Sequence, residues 1–131
     1  MPEAARPAHS ILIADSDVLV RGALADYLRD CGYRVVEAAS GDEVITLFEQ
    51  GAISFEAVLI DAELAGTRNA FELRVWLRQH QPDMSVMLAG NVESAARMAG
   101  HLCDEGPHLS RPYDPQAVVA HIKRLIARAR S

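Results

Sequence analysis

The sequence predicts a three-layer α/β sandwich built on a parallel sheet. Short apolar runs alternate with helical patterns, Gly and Pro punctuate the changes, and two of the runs end in carboxylates. Runs that are apolar throughout, such as Ile11-Leu12-Ile13-Ala14 and Ala57-Val58-Leu59-Ile60, fit strands buried on both faces, as a sheet covered by helices on both sides requires. A chain of 131 residues has room for one core. Residues 1–9 form a Pro- and Ala-rich flexible tail and residues 10–131 the single domain.

Residues 11–14 are the first strand. From Val18 to Cys31 a helix places Val20, Leu24, Tyr27, Leu28 and Cys31 on one face, and Gly32 stops it. A second strand, Tyr33 to Glu37, leads to a helix that Ser40 caps, with Val44, Leu47 and Phe48 inward and Gly51 at its end. The third strand, Ala57 to Ile60, delivers Asp61. An irregular loop through Gly66 to Asn69 follows, then a helix with Ala70, Leu73 and Leu77 inward, Trp76 at the core edge and Pro82 as its stop.

The fourth strand, Ser85 to Leu88, precedes a helix near Val92 to Ala99. Its buried face of Val92, Ala95, Ala96 and Ala99 is small, so this helix is expected to be the most mobile. A short fifth strand around His108 to Ser110 comes before Arg111-Pro112. In the last helix Asp114 is the cap, Pro115 the first residue, and Val118, Ile122, Leu125, Ile126 and Ala129 the inner face.

Hydrophobic residues make up 50% of the chain and charged residues 24%, which excludes disorder throughout. A net charge of -5 disfavours direct nucleic-acid binding. No apolar stretch reaches bilayer length and the first nine residues lack a secretory signal, so no membrane association and a cytoplasmic location are expected. Cys31 and Cys103 show neither a disulfide framework nor metal-ligand spacing and are expected to be reduced thiols, Cys31 within the core. No Gly-rich phosphate loop or nucleophile–base pair appears, so the chain is not expected to be an enzyme.

In parallel sheets the ligand crevice lies at the carboxyl ends of the strands. Asp15, Asp61, Ala89 and Arg111 all fall at or just beyond such ends, so residues far apart in sequence are expected to meet. Carboxylates brought together there suit a metal-assisted phosphoryl site, since Mg²⁺ prefers oxygen ligands and a carboxylate is a competent phosphoryl nucleophile.

The segments ILIADSDVLVRGALADYLRDCGYRVVEAASGDEV, VLIDAEL and LSRPYDP resemble, in order and spacing, the receiver domain of two-component response regulators, from about Ser10 to Arg128. The resemblance implies a flavodoxin-like fold with a five-stranded sheet in the order 2-1-3-4-5. It implies Asp61 as acceptor of a phosphoryl group from a histidine kinase or phosphotransfer protein. Mg²⁺ would be held by Asp15, Asp61 and the backbone carbonyl of Glu63. Ser16 stands where the family has a second carboxylate, a weak or lost ligand that lowers Mg²⁺ affinity. Asp17, in the same turn, is read as a favourable acidic residue at the start of the next helix.

Further departures follow. Ala89, or Gly90 under a one-residue shift, stands in place of the family's Ser or Thr and cannot bond the phosphoryl oxygen, and Arg111 replaces Lys, pairing either with the phosphoryl group or permanently with Asp61. His108 stands at the family's aromatic switch position, and the Arg111–Pro112 bond is expected to be cis. The expected function is that of a stand-alone receiver signalling to a downstream protein through its fourth helix, fifth strand and fifth helix, with a homodimer as one form. The alternative is a divergent pseudo-receiver that docks or dimerises without phosphorylation.

Overall fold

The computed structural model describes residues 9–51, 54–104 and 114–130. Four strands, β1 (Ser10–Ala14), β2 (Arg34–Ala38), β3 (Ala57–Asp61) and β4 (Ser85–Ala89), form a fully parallel sheet in the order β2-β1-β3-β4. The helices are α1 (Val18–Asp30), α2 (Gly41–Gln50), α3 (Ala70–His80), α4 (Val92–Asp104) and α5 (Pro115–Arg130). This is the flavodoxin-like α/β sandwich with four described strands instead of five. The expected fifth strand, with His108, Arg111 and the cis bond to Pro112, lies outside the described residues.

Because successive strand side chains point to opposite faces, each apolar run feeds two cores. Ile11, Ile13 and Leu59 pack with α1, α4 and α5, while Leu12, Val58 and Ile60 pack with α2 and α3. Leu73 and Leu77 of α3 are fully buried in the second core, and Trp76 closes its edge, stacked on His80. Each such Leu or Ile contributes roughly 1.5–3 kcal/mol through burial. The residue before β1, His9, ties the start of the sheet down by pairing with Glu56 and accepting the Arg34 amide on its carbonyl.

The fourth helix is packed through small side chains, as expected. Its buried face is small, Ala95, Ala96 and Ala99, but that smallness lets it lie close against α1 and α5. It is fastened as well as packed. The Tyr33 hydroxyl donates to the Leu102 carbonyl at 2.6 Å, and Lys123 of α5 pairs with Glu93.

The expectation of free thiols is overturned. Cys31, at the C-cap of α1, and Cys103, near the end of α4, form a disulfide with their Cα atoms 5.4 Å apart. They are separated by 72 positions, and only the placement of α4 beside α1 brings them together. Cys31 is nonetheless in the core, as its helical register predicted.

Candidate functional site: an acidic crevice at the sheet edge

Register places the two principal carboxylates. Ala14 of β1 is level with Ile60 of β3, so Asp15 and Asp61 leave adjacent strands at the same edge. Asp61 is itself level with Ala89 of β4, whose carbonyl accepts the Ala62 amide at 2.8 Å. The carboxylates therefore stand where a buried sheet opens to solvent.

A crevice of about 280 Å³ opens there, with Asp15, Asp17, Asp61 and Glu63 around it and Val20 and Leu59 among its apolar lining. Gly90, Asn91 and Val92, from the turn into α4, close another side. Asp15 is only 6% exposed. Its amide donates to the Ala38 carbonyl, and its carboxylate accepts the Asp17 amide at 2.9 Å. Burial pushes the Asp15 carboxyl up to about 6, the neighbouring charges of Asp61 and Asp17 push the same way, and the Asp17 amide and Arg21 oppose them.

Asp17 stands at the start of α1, as the sequence suggested, and also reaches the crevice. It is the N-cap of α1, its carboxylate accepting the amides of Leu19 at 2.9 Å and Val20 at 3.3 Å. Ser16 does not line the crevice. Its hydroxyl donates to the Ala39 carbonyl and accepts the Ala65 amide at 2.8 Å, fixing the loop after β3 to the turn after β2.

Neighbouring contacts strengthen that attachment. Gly41 donates its amide to the Ala65 carbonyl at 3.1 Å, and Thr67 donates both its amide and its hydroxyl to Asp42. These bonds hold the Asp42 carboxyl below its ordinary range. Gly66 has φ of 128°, and a Cβ there would meet the Gly41 nitrogen at 3.2 Å, so glycine is required where the loop and α2 touch. Asn69 and Glu72 then form a capping box that starts α3.

The structure thus brings Asp15, Asp61, Glu63 and Ala89 together, as expected, and turns Ser16 away. Arg111 and His108 lie outside the described residues. Sequence reading missed Asn91, which lines the crevice and accepts the Ser94 amide at 2.8 Å at the start of α4; an Asn just ahead of a helical pattern is the signal that marks it. It also missed Arg21, which reaches back from α1 to the Asp15 carbonyl at 2.9 Å and to Glu37 at 3.1 Å.

The response regulator receiver domain family matches residues 11–123, and the chain belongs to that family. It is 29% identical over 119 residues to the transcriptional regulatory protein ResD of Bacillus subtilis, covering 91% of this chain and 48% of that protein. It is 31% identical over 125 residues to the transcriptional regulatory protein GltR of Pseudomonas aeruginosa, covering 92% of this chain and 50% of that protein. The chain spans about half the length of these curated relatives. A CheY-like receiver domain structure from Methanospirillum hungatei shares the fold at a TM-score of 0.59 and 20% identity, covering 94% of this chain and 97% of the other.

Receiver domains bind Mg²⁺ at the phosphorylation site. The crevice offers the chemistry this ion wants: the carboxylates of Asp15 and Asp61, with Glu63 beside them, are hard oxygen donors. Asp15 is buried beside like charge, a cost that a cation would relieve. Among the described residues no three acidic, His or Cys side chains converge as a ready-made metal cluster.

Proposed function

We propose that the chain accepts a phosphoryl group on Asp61 from a histidine kinase or phosphotransfer protein, with Mg²⁺ held by Asp15, Asp61 and the Glu63 carbonyl. The observation that carries this reading is the register of β1 against β3, which sets the Asp15 and Asp61 carboxylates side by side at the mouth of one crevice. A cation between them would screen the incoming phosphoryl oxygens, and Asp61, at the strand end, would be the nucleophile. With Ser16 engaged by Ala39 and Ala65, Mg²⁺ affinity is expected to fall below that of a site with a third carboxylate. Output would pass to a protein partner, in the cytoplasm, by contacts of the α4 and α5 region.

A second reading, a pseudo-receiver that docks without phosphorylation, is favoured by one specific observation: Ala89 is 2% exposed and offers no hydroxyl to a phosphoryl oxygen. Incubation with acetyl phosphate and Mg²⁺, followed by intact mass, separates the two. A single phosphoryl adduct that disappears in Asp61→Asn supports acceptance at Asp61. Absence of any adduct across a wide Mg²⁺ range refutes it in favour of docking.

A further inference from the structure

We propose that the Cys31–Cys103 pair is a thiol–disulfide control site, opened by a dithiol reductant, whose state is transmitted through α4 to the acidic crevice. The two sulfurs differ in access. Cys31 is 6% exposed within the core, whereas Cys103 is half-buried near the end of α4. A dithiol would therefore attack the Cys103 sulfur. A mixed disulfide forms there, the S–S bond breaks, and the Cys31 sulfur leaves as a thiolate that takes a proton. The second thiol of the reductant then displaces Cys103 as a thiol. Two electrons and two protons pass to the protein, and the reductant ends as a cyclic disulfide.

The mechanical link is α4 itself. Its far end holds Cys103 and the Leu102 carbonyl bound by Tyr33, and its near end supplies Val92 and Ala95 to the crevice. Thirteen residues form a rod of roughly 20 Å, so a shift at one end is carried to the other. The remaining attachments are non-covalent. The inner face is Ala95, Ala96, Ala99 and Gly100 with the one larger residue Leu102, and the Glu93–Lys123 pair is half exposed and contributes little. Opening the bond removes the one covalent constraint on the helix.

The effect on phosphoryl uptake rests on the reading of Asp61 given above; the effect on α4 does not. The test compares the full chain as oxidised protein and after dithiothreitol, in the absence of metal, by hydrogen exchange and by amide chemical shifts. Reduction is expected to speed exchange across residues 92–104 by about tenfold or more beyond any change in β1 and β3, whose protection falls only with global stability. Shifts are expected at the Ala62 and Gly90 amides beside the crevice, and the rate of phosphoryl uptake from acetyl phosphate is expected to differ by about threefold or more. Cys103→Ala is expected to match the reduced protein.

A bond that excess dithiothreitol leaves closed in the folded protein would overturn the proposal. So would exchange in α4 that rises no more than exchange in the sheet, which would make the bond a global staple, or unchanged Ala62 and Gly90 shifts. If neither form takes up phosphoryl, the acceptor reading fails, and the metal-free exchange and shifts still decide whether α4 carries the redox state to the crevice.

Discussion

The Ser16 hydroxyl accepts the amide of Ala65, 49 positions away, at 2.8 Å. Ser16 joins two loops, and the loop that follows Asp61 is thereby tied to the turn after β2. Ser16→Ala is expected to cost about 0.5–1 kcal/mol in thermal or urea unfolding, the net worth of exposed hydrogen bonds to Ala39 and Ala65. Mg²⁺ affinity is expected to be unchanged, measured by titration followed at the Ala62 amide. Ser16→Asp is expected to tighten Mg²⁺ while giving up the attachment of Ala65.

Asp15 gives a stability profile with a definite sign. Its folded carboxyl titrates at about 6 against 3.8 for an unperturbed aspartate, so between these values the folded state holds the proton more strongly. Stability is then lost as pH rises from about 4 to about 6 and stays lower above that, by up to ~3 kcal/mol before allowance for water in the open crevice. Asp15→Asn is expected to flatten that segment of the urea-midpoint profile and to raise stability at pH 8. Added Mg²⁺ is expected to stabilise the parent protein more than this variant.

Ala89 lies level with Asp61 on the adjoining strand. Ala89→Ser would place a hydroxyl beside the phosphoryl position, and a charge-assisted hydrogen bond of roughly 1.5–3 kcal/mol corresponds to about ten- to a hundredfold in affinity. Beryllofluoride is expected to bind the variant more tightly by about that factor, measured by calorimetry.

Asp17 separates helix capping from cation binding. Asp17→Ala removes the acceptor for the Leu19 and Val20 amides and is expected to destabilise the protein by about 0.5–2 kcal/mol. Asp17→Asn keeps most of the cap while removing charge from the crevice. Its Mg²⁺ affinity therefore reports whether the cap residue also serves the ion.

The acidic site was largely legible in the sequence because its determinants are local. A continuous apolar run followed by a carboxylate specifies both a buried strand and what stands at its end, and it did so for Asp15 and Asp61. The inward faces of α1, α3 and α5 were legible for the same reason, since helical periodicity assigns Leu24, Leu73 and Ile122 to the core without knowledge of partners. The direction of the Ser16 side chain was not, because it depends on a loop 49 positions away. Nor was the Cys31–Cys103 pairing. A face of alanines says that a helix packs closely but not against what, and the choice of α1 as neighbour decides whether two distant thiols meet.

The Cys31–Cys103 bond also makes a ring of the chain. Everything from β2 to nearly the end of α4, including Asp61, lies inside a closed loop, with β1, α1 and α5 on the arms outside it. Closing a loop of this length removes conformational freedom from the unfolded chain, by roughly 4–5 kcal/mol on the chain-entropy scale. A single backbone cut within the ring opens the circle yet leaves one covalent molecule, whereas a cut in either arm releases a fragment at once. Peptide mapping under non-reducing conditions would trace that circle directly on the sequence.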